Sequence, residues 1–328
     1  VNYKELFDKF NGLRVLVIGD VMMDAYVLGK VTRISPEAPV PIVSLDDEDE
    51  RIGGAGNVAL NLVSLGAKPI IATAVGTDSY GEKLAILLES NGISIDGVIF
   101  SEKRKTTVKT RVISDKQQLL RIDSEDTFPI SNSEEEQLIS RIEKLIESGL
   151  DAIIFEDYNK GVLTEKLISK VVELAQIKNI PTAVDPKKEN FLAYRNVTLF
   201  KPNLKELKEG LNVDFNISNT KLEFEQAVNN LEGKLNNEIS FITLSEHGVF
   251  IKNSSKKHYA KAHLRNISDV SGAGDTVIAV ATLCLATKLE IEQIAEISNI
   301  AGGLVCEKSG VVSIDKQELL QEVEELLG

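Results

Sequence analysis

Asp269-Val270-Ser271-Gly272-Ala273-Gly274-Asp275, running straight into an apolar stretch from Asp275 to Thr287, is the segment on which the reading of this chain turns. Glycines at 272 and 274 let a backbone approach a bulky ligand and adopt dihedrals that a side chain forbids. The first amides of the helix that follows have no intrahelical acceptor, so they point at an anion. A phosphoryl group in transfer develops negative charge that suits such amides. Asp275 stands at the same place, where a carboxylate can accept the proton of an attacking hydroxyl. On spacing alone the same segment also reads as a tight turn with Asp275 as a helix cap. It is not a P-loop, because no Gly-Lys-Ser/Thr follows. Gly53-Gly54-Ala55-Gly56 is not a dinucleotide fingerprint, because it lies off the first strand and lacks the G-x-G-x-x-G spacing. A dinucleotide-dependent dehydrogenase, a third reading, therefore lacks its required glycine fingerprint.

Outward from that loop the chain shows a βαβ rhythm. Arg14–Gly19 is a short apolar run ending in Gly19-Asp20, which reads as a buried parallel strand opening into a site. Gly53 to Asn57 leads into a helix over Val58–Leu65, closed by Gly66. A strand over Pro69–Val75 and a helix over Tyr80–Asn91 follow. Between Ile95 and Phe128 the runs Val98–Phe100, Thr106–Ile113 and Leu119–Ile122 are short, partly alternating and uninterrupted by a helix. They predict a small antiparallel sheet, to which Tyr26–Thr32 and part of Val40–Leu45 belong, with an acidic turn after Leu45. Helices over Ser133–Ser148 and Glu165–Lys178 then alternate with strands at Ala152–Phe155, Thr182–Val184 and Val197–Phe200. A helix over Glu223–Asn236, a strand at Ile239–Leu244 and a hairpin over Val249–Ala262 come next. Helices over Asp275–Thr287, Ile291–Glu307 and Leu319–Leu327 close the chain. The expectation is one α/β domain over 1–328 with a discontinuous β lid drawn from about 26–45 and 95–128.

Composition narrows the function classes. The 328 residues carry 37 Lys and Arg against 50 Asp and Glu, a net charge of −13, which disfavours a general nucleic-acid binder. Two cysteines, Cys284 and Cys306, form neither a disulfide framework nor a zinc cluster. The three histidines make no H-E-x-x-H pattern. No apolar run is long enough to span a membrane. The first twelve residues are too charged for a signal peptide, so the cytoplasm is the expected location.

The Asp269–Asp275 segment resembles the second signature of the ribokinase-like carbohydrate kinases, D-T-x-G-A-G-D, with Val270 in place of the threonine. Gly53-Gly54-Ala55-Gly56-Asn57 resembles their first signature, where the glycines and the asparagine hold sugar hydroxyls. Asn203-Leu204-Lys205-Glu206 resembles their N-x-x-E element. These elements span nearly the whole chain in the family's order. A further set resembles the kinase module of ADP-heptose synthesis: Gly19–Asp24, Thr32–Pro41, Thr110–Val112, Gln117–Asp123 and Asp157-Tyr158-Asn159-Lys160-Gly161. The resemblance implies a three-layer sandwich with a central, mostly parallel sheet and a small β-sheet lid. It implies transfer of the ATP γ-phosphate to the anomeric hydroxyl of a heptose 7-phosphate, giving the 1,7-bisphosphate. ATP and Mg2+ are the implied cofactors, Asn203 and Glu206 placing the metal through water. A monovalent cation is implied near the loop, although Val270 offers no hydroxyl to it. In many relatives a nucleotidyltransferase domain follows; with the chain ending at Gly328, that step is expected from a separate protein.

The catalytic set is then Asp275 as base with Gly272, Ala273 and Gly274 around the moving phosphoryl group. Sugar hydroxyls need carboxylates or amides, for which Asp20, Asp24, Gly53, Gly54 and Asn57 stand ready. The sugar's phosphate needs cations, which Arg33, Lys109, Arg111, Lys160 and Lys187 offer, with Asp157 to orient them. Lys109 and Arg111 are two apart on a strand and so share one face. Solvated basic residues on a small sheet are the plainer account of any one of them. Thr243, Ser245 and Gly248 are placed near the ATP phosphates. Asn299 and Gly302 border adenine, with Val305 and Val311 as apolar contacts. The apolar back of the lid suggests a homodimer. Two other classes stay open: a kinase for another sugar or nucleoside, and a non-catalytic sugar or nucleotide sensor.

Overall fold

The computed structural model describes residues 2–115, 117–215 and 221–328. In chain order the elements are α1 (Tyr3–Lys9), β1 (Arg14–Gly19), β2 (Val21–Ile34), β3 (Pro41–Gly54), α2 (Ala55–Ser64), β4 (Lys68–Gly76), α3 (Ser79–Ser90), β5 (Ser94–Ser101), β6 (Val108–Ser114) and β7 (Gln117–Ser124). There follow α4 (Asn132–Glu147), β8 (Ala152–Glu156), α5 (Glu165–Lys178), β9 (Thr182–Asp185), β10 (Leu199–Phe200), α6 (Leu204–Leu211), α7 (Lys221–Leu235) and β11 (Ile239–Thr243). The hairpin β12 (Val249–Lys252) and β13 (Lys257–Ala260) leads to α8 (Ala273–Ala286), α9 (Ile291–Cys306) and α10 (Lys316–Leu327).

Nine strands form one sheet in the order β13-β12-β11-β10-β9-β8-β1-β4-β5, antiparallel only at the β12 and β13 edge. Alternation along each strand feeds two cores. Val15 and Val17 of β1 join Ile154 of β8 beneath α2, α8 and α9; Leu16 and Ile18 join Phe155 beneath α4, α5 and α7. That pattern explains the apolar runs read in the sequence: a strand covered on both faces has no polar side to show.

β2, β3, β6 and β7 form the second sheet, in the order β3-β2-β6-β7. Three expectations need correcting. The small sheet is not wholly antiparallel: β2 pairs parallel with β6, because the two strands are joined through the body of the fold rather than by a hairpin. Val98–Phe100 is not part of the lid: β5 pairs parallel with β4 at the edge of the large sheet, with Val98 and Ile99 buried in opposite cores. The lid's second segment therefore starts at Val108. The acidic residues after Leu45 do not turn the chain. Asp46 to Glu50 lie within the 14-residue β3, and charge is tolerated there because β3 is an edge strand facing water.

Cys284 and Cys306 are buried free thiols. Among the described residues no helix is long and apolar enough to cross a membrane.

One buried amide ties three distant segments together. Asn61 of α2 donates to the Asn57 carbonyl at 2.9 Å and accepts from the Thr276 hydroxyl and the Ile314 amide, both at 3.0 Å. Replacing it with an apolar residue strands buried donors, at roughly 1–3 kcal/mol each. Asn61→Leu is expected to lower stability by at least about 2 kcal/mol in urea unfolding, with little change in the denaturant slope.

Candidate active site

The strand order reverses on either side of β1, and in such sheets the crevice opens at the carboxyl ends of the strands around the reversal. That edge carries Asp20 after β1, Glu156 ending β8, Asp185 ending β9 and Lys201 after β10. α8 starts over the same edge. Its N-cap is Gly272, at φ +79°, and a Cβ there would stand 3.0 Å from both the Asn57 amide nitrogen and Val311. Glycine is thus required for backbone conformation and for space at once.

One turn of helix carries Asp275 into the interior, where it is 8% exposed. Asn57 Nδ2 donates to Asp275 Oδ2 at 2.6 Å, and the Tyr158 hydroxyl donates to Oδ1 at 3.0 Å. Asn57 is in place because Gly54 (φ +60°) turns the end of β3 directly into α2; a Cβ at 54 would meet the Asp20 carbonyl at 2.4 Å. The two glycine signatures, 218 positions apart in sequence at their hydrogen-bonded residues, therefore meet in one bond.

Carboxylate oxygens of Glu156, Asp185 and Asp275 all lie within 4.8 Å of one another. The buried ammonium of Lys201 pairs with Asp185 at 2.7 Å. Burial raises Asp275 to about 6; the Asn57 hydrogen bond opposes the rise, and the Asp185 charge adds to it. Burial, then the charges of Asp185 and Asp275, push Glu156 well above the usual carboxylate range. Glu156 Oε2 is buried with no hydrogen-bond partner. Oxygen donors crowded in this way suit a hard cation.

Next to this cluster a cleft of about 220 Å3 is lined by Asp24, Tyr26, Arg51, Asn57 and Val311, among others. Asp24 and Asn57 thus share a cavity that reaches toward Asp275. Arg111 Nη1 is bonded to Asp24, so the Lys109 and Arg111 face of β6 is turned to this side, as their spacing predicts. Gly53 packs against the Asp24 carboxylate.

Other expected site residues are committed elsewhere. Asp20 accepts from the amides of Tyr158, Lys160 and Val162 at 2.9 to 3.2 Å, so it shapes the 158–162 loop rather than offering oxygens to a sugar. Asp157 accepts from Asn159, Asn190 and Tyr194 and is 1% exposed. Asn203 and Glu206 form a reciprocal capping box on α6, and the other Glu206 oxygen takes Lys187. The spacing that resembles a metal element thus also serves the helix end, and Lys187 also lies over the Tyr158 ring, 5.6 Å from its centroid. Arg33 lies nine residues beyond Asp24 on β2, roughly 30 Å along an extended strand, so its own chain carries it away from the cleft.

Thr243 ends β11 beside Asn203, and Ser245 is exposed at φ +52° on the turn that follows. Gly248 packs against the Ala260 carbonyl, which accounts for that glycine without a ligand. Asn299 donates to the Lys261 carbonyl, and Gly302 packs on Val277 across the α8–α9 contact. Val311 belongs to the Asp24 cleft, not to a separate apolar pocket, and Val305 is core. Sequence reasoning missed Glu156, Asp185, Lys201 and Tyr158. A charged residue at the end of an apolar strand was the available signal, since burying it there needs a partner.

With this geometry in hand, comparison with known proteins is direct. The pfkB family of carbohydrate kinases matches residues 13–317. The bifunctional protein HldE of Methylobacillus flagellatus is 39% identical over 94% of this chain and 63% of its own length. HldE of Sulfurimonas denitrificans is 39% identical over 93% and 63%. The chain thus spans less than two thirds of the length of these relatives. Among solved structures, Escherichia coli phosphofructokinase-2 in complex with potassium superposes with a TM-score of 0.80 at 19% identity, covering 97% of this chain and 99% of the other. Arabidopsis thaliana ribokinase complexed with ribose and ATP gives 0.72 at 16% identity, covering 95% and 98%. The matches in sequence and fold agree with the convergence of Asp275 on Asn57: this chain has the ribokinase-like fold and belongs to the pfkB family of carbohydrate kinases.

Proposed function

We propose that this chain transfers the ATP γ-phosphate to the anomeric hydroxyl of a heptose 7-phosphate, giving the 1,7-bisphosphate. The carrying observation is the 2.6 Å bond from Asn57 to Asp275, which joins the sugar-side signature to the base. The resemblance to the HldE relatives supports a heptose phosphate as acceptor. Asp24 and Asn57 hold sugar hydroxyls in the shared cleft. The hydroxyl gives its proton to Asp275 while its oxygen attacks the γ-phosphorus in line, and ADP leaves. The Gly274 amide in the first turn of α8 faces the charge that develops on the phosphoryl oxygens, while the Ala273 amide donates to the Val270 carbonyl at 3.3 Å and closes the loop. No covalent enzyme intermediate is required.

A magnesium ion fits the donors present. Glu156 and Asp185 are the carboxylates that would hold it, with the unpartnered Glu156 Oε2 as the open ligand. When bound, it offsets charge on the nucleotide phosphates. A monovalent cation near Val270 remains part of the proposal, as does a later nucleotidyltransferase step on the product. Leu120 and Ile122, more than half exposed on the lid's back face, support a homodimer closed through that face.

An ATP-consumption screen over heptose 7-phosphate, sedoheptulose 7-phosphate, fructose 6-phosphate, fructose 1-phosphate and ribose tests the assignment. Heptose 7-phosphate should give the highest kcat/KM, with the new phosphate at the anomeric carbon by NMR; preference for a phosphate-free sugar would refute it.

Asp275→Asn should lower kcat by roughly 10²–10⁴-fold, with ATP affinity little changed. It should also raise the melting temperature at pH 8. The sign follows from linkage: a carboxyl whose folded value, about 6, exceeds its unfolded one costs stability as pH rises through that interval. The variant's thermal advantage should shrink below pH 6 and vanish below about pH 4. For the same reason wild-type kcat/KM should fall as pH drops below about 6, as the base takes up its proton.

A further inference from the structure

Glu125 lies just after β7, on the segment that carries the chain from the lid back to α4. Its two carboxylate oxygens are divided between two lysines from different parts of the molecule. Oε1 takes Lys160 at 2.7 Å, from the body loop after β8, and Oε2 takes Lys109 at 3.2 Å, from lid strand β6; Lys109 is shared with Asp123 of β7, also at 3.2 Å, whereas Glu125 is the acid that joins the two lysines. Glu125 and the two lysines are largely enclosed, at 16 to 21% exposure. Both lysines lower Glu125 below the usual glutamate range, against the opposing effect of burial. Arg104 holds this loop from behind: it is buried and donates to the Lys160 carbonyl.

The position of this group is what matters. Lys109 pairs in register with Asp24 across β6 and β2, and so faces the sugar cleft. Lys160 is two residues from Tyr158, whose hydroxyl touches Asp275. Two residues of chain reach at most about 7 Å. The loop thus runs from the base at one end to the lysine pair at the other, a span suited to a sugar whose phosphate lies away from its reacting carbon.

We propose that Lys109 and Lys160 form the seat for the phosphate already on the sugar, and that Glu125 is a resident anion that fills the seat until the substrate displaces it. The seat's use by a sugar phosphate rests on the function proposed above; its existence as an anion site does not. A phosphate dianion carries more charge and more acceptor oxygens than one carboxylate, so it wins the two ammonium groups. A phosphate-free sugar cannot displace Glu125. The enzyme therefore discriminates by exchange of one anion for another, and the same exchange replaces a lid-to-body ion pair with a contact through substrate.

Two measurements on the full chain separate this idea from the assignment of function. In calorimetric titration with inorganic phosphate at fixed ionic strength, Glu125→Gln should bind about tenfold tighter than wild type, and Lys160→Gln should lose most of the binding. In steady-state kinetics, the ratio of kcat/KM for heptose 7-phosphate to that for a phosphate-free sugar should rise in Glu125→Gln and collapse in Lys160→Gln. ATP affinity and melting temperature report that each variant is folded. Unchanged or weaker phosphate binding in a folded Glu125→Gln overturns the seat, whatever the substrate proves to be. Phosphate binding that follows the expected order, in an enzyme that does not use heptose 7-phosphate, keeps the anion seat and overturns only the assigned substrate.

Discussion

The structure is organised around a carboxylate that is held charged where charge is unwelcome. Asp275 is buried, has carboxylate oxygens of Glu156 and Asp185 within 4.8 Å, and in the proposed reaction still serves as the proton acceptor. Three groups ease its position: the Asn57 amide, the Tyr158 hydroxyl and the Lys201 ammonium. Each arrives from a different part of the chain. The large sheet's reversal at β1 brings the ends of β8, β9 and β10 together, so that Glu156, Asp185 and Lys201 converge. The direct passage from β3 into α2 delivers Asn57. Loosening any of these connections would push the carboxyl further toward its protonated form. The fold thus spends local stability on reactivity, a common feature of acid–base sites.

The second sheet makes sense against that requirement. β2 starts at Val21, immediately after Asp20 ends the β1 segment, so lid and body share a junction at the site itself. Asp20, which looked like a sugar ligand, works instead as the fixed point of that junction, taking three amides from the 158–162 loop. Its burial raises it to about 6, opposed by the Lys160 amide bond. The loop it shapes then carries Tyr158 to the base and Lys160 to the lysine pair. One buried carboxylate thereby sets the distance between the reacting end of the cleft and its anion-holding end.

How much of this was legible beforehand differs by the kind of signal. Strands covered on both faces announced themselves as apolar runs, and helices α2 through α5 fell within a few residues of their expected limits. Glycine signatures were legible because glycine at 54 and 272 answers a local steric demand that no other residue meets. The lid was misjudged at both margins: an exposed edge strand such as β3 needs no alternation, so its acidic half reads as a turn. Val98–Phe100 erred the other way, being too short to show that both its faces are covered. Charged residues were the hardest. Nothing in the sequence tells a carboxylate that meets a ligand from one already bonded to protein amides, and Asp20 and Asp157 belong to the second kind. What separates them is partner count, and partners such as Tyr194 for Asp157 come from remote segments.

That distinction also explains why the basic residues sort as they do. A lysine with its carboxylate locked in a reciprocal cap, as Lys187 has in Glu206, faces a partner that is already held by α6 and cannot move away. Lys160 faces a partner, Glu125, on a connecting segment outside any helix or strand, where the cost of moving one side chain is small, and Lys109 shares that partner while also pairing with Asp123 of β7. Arg111 is different again, since its partner Asp24 sits in the sugar cleft itself and can turn from guanidinium to hydroxyl without leaving the cavity. The same chemistry, an ammonium or guanidinium against a carboxylate, is therefore permanent in one place and exchangeable in another. The backbone on which the acid is mounted decides which, and that is a property of the fold rather than of the pair.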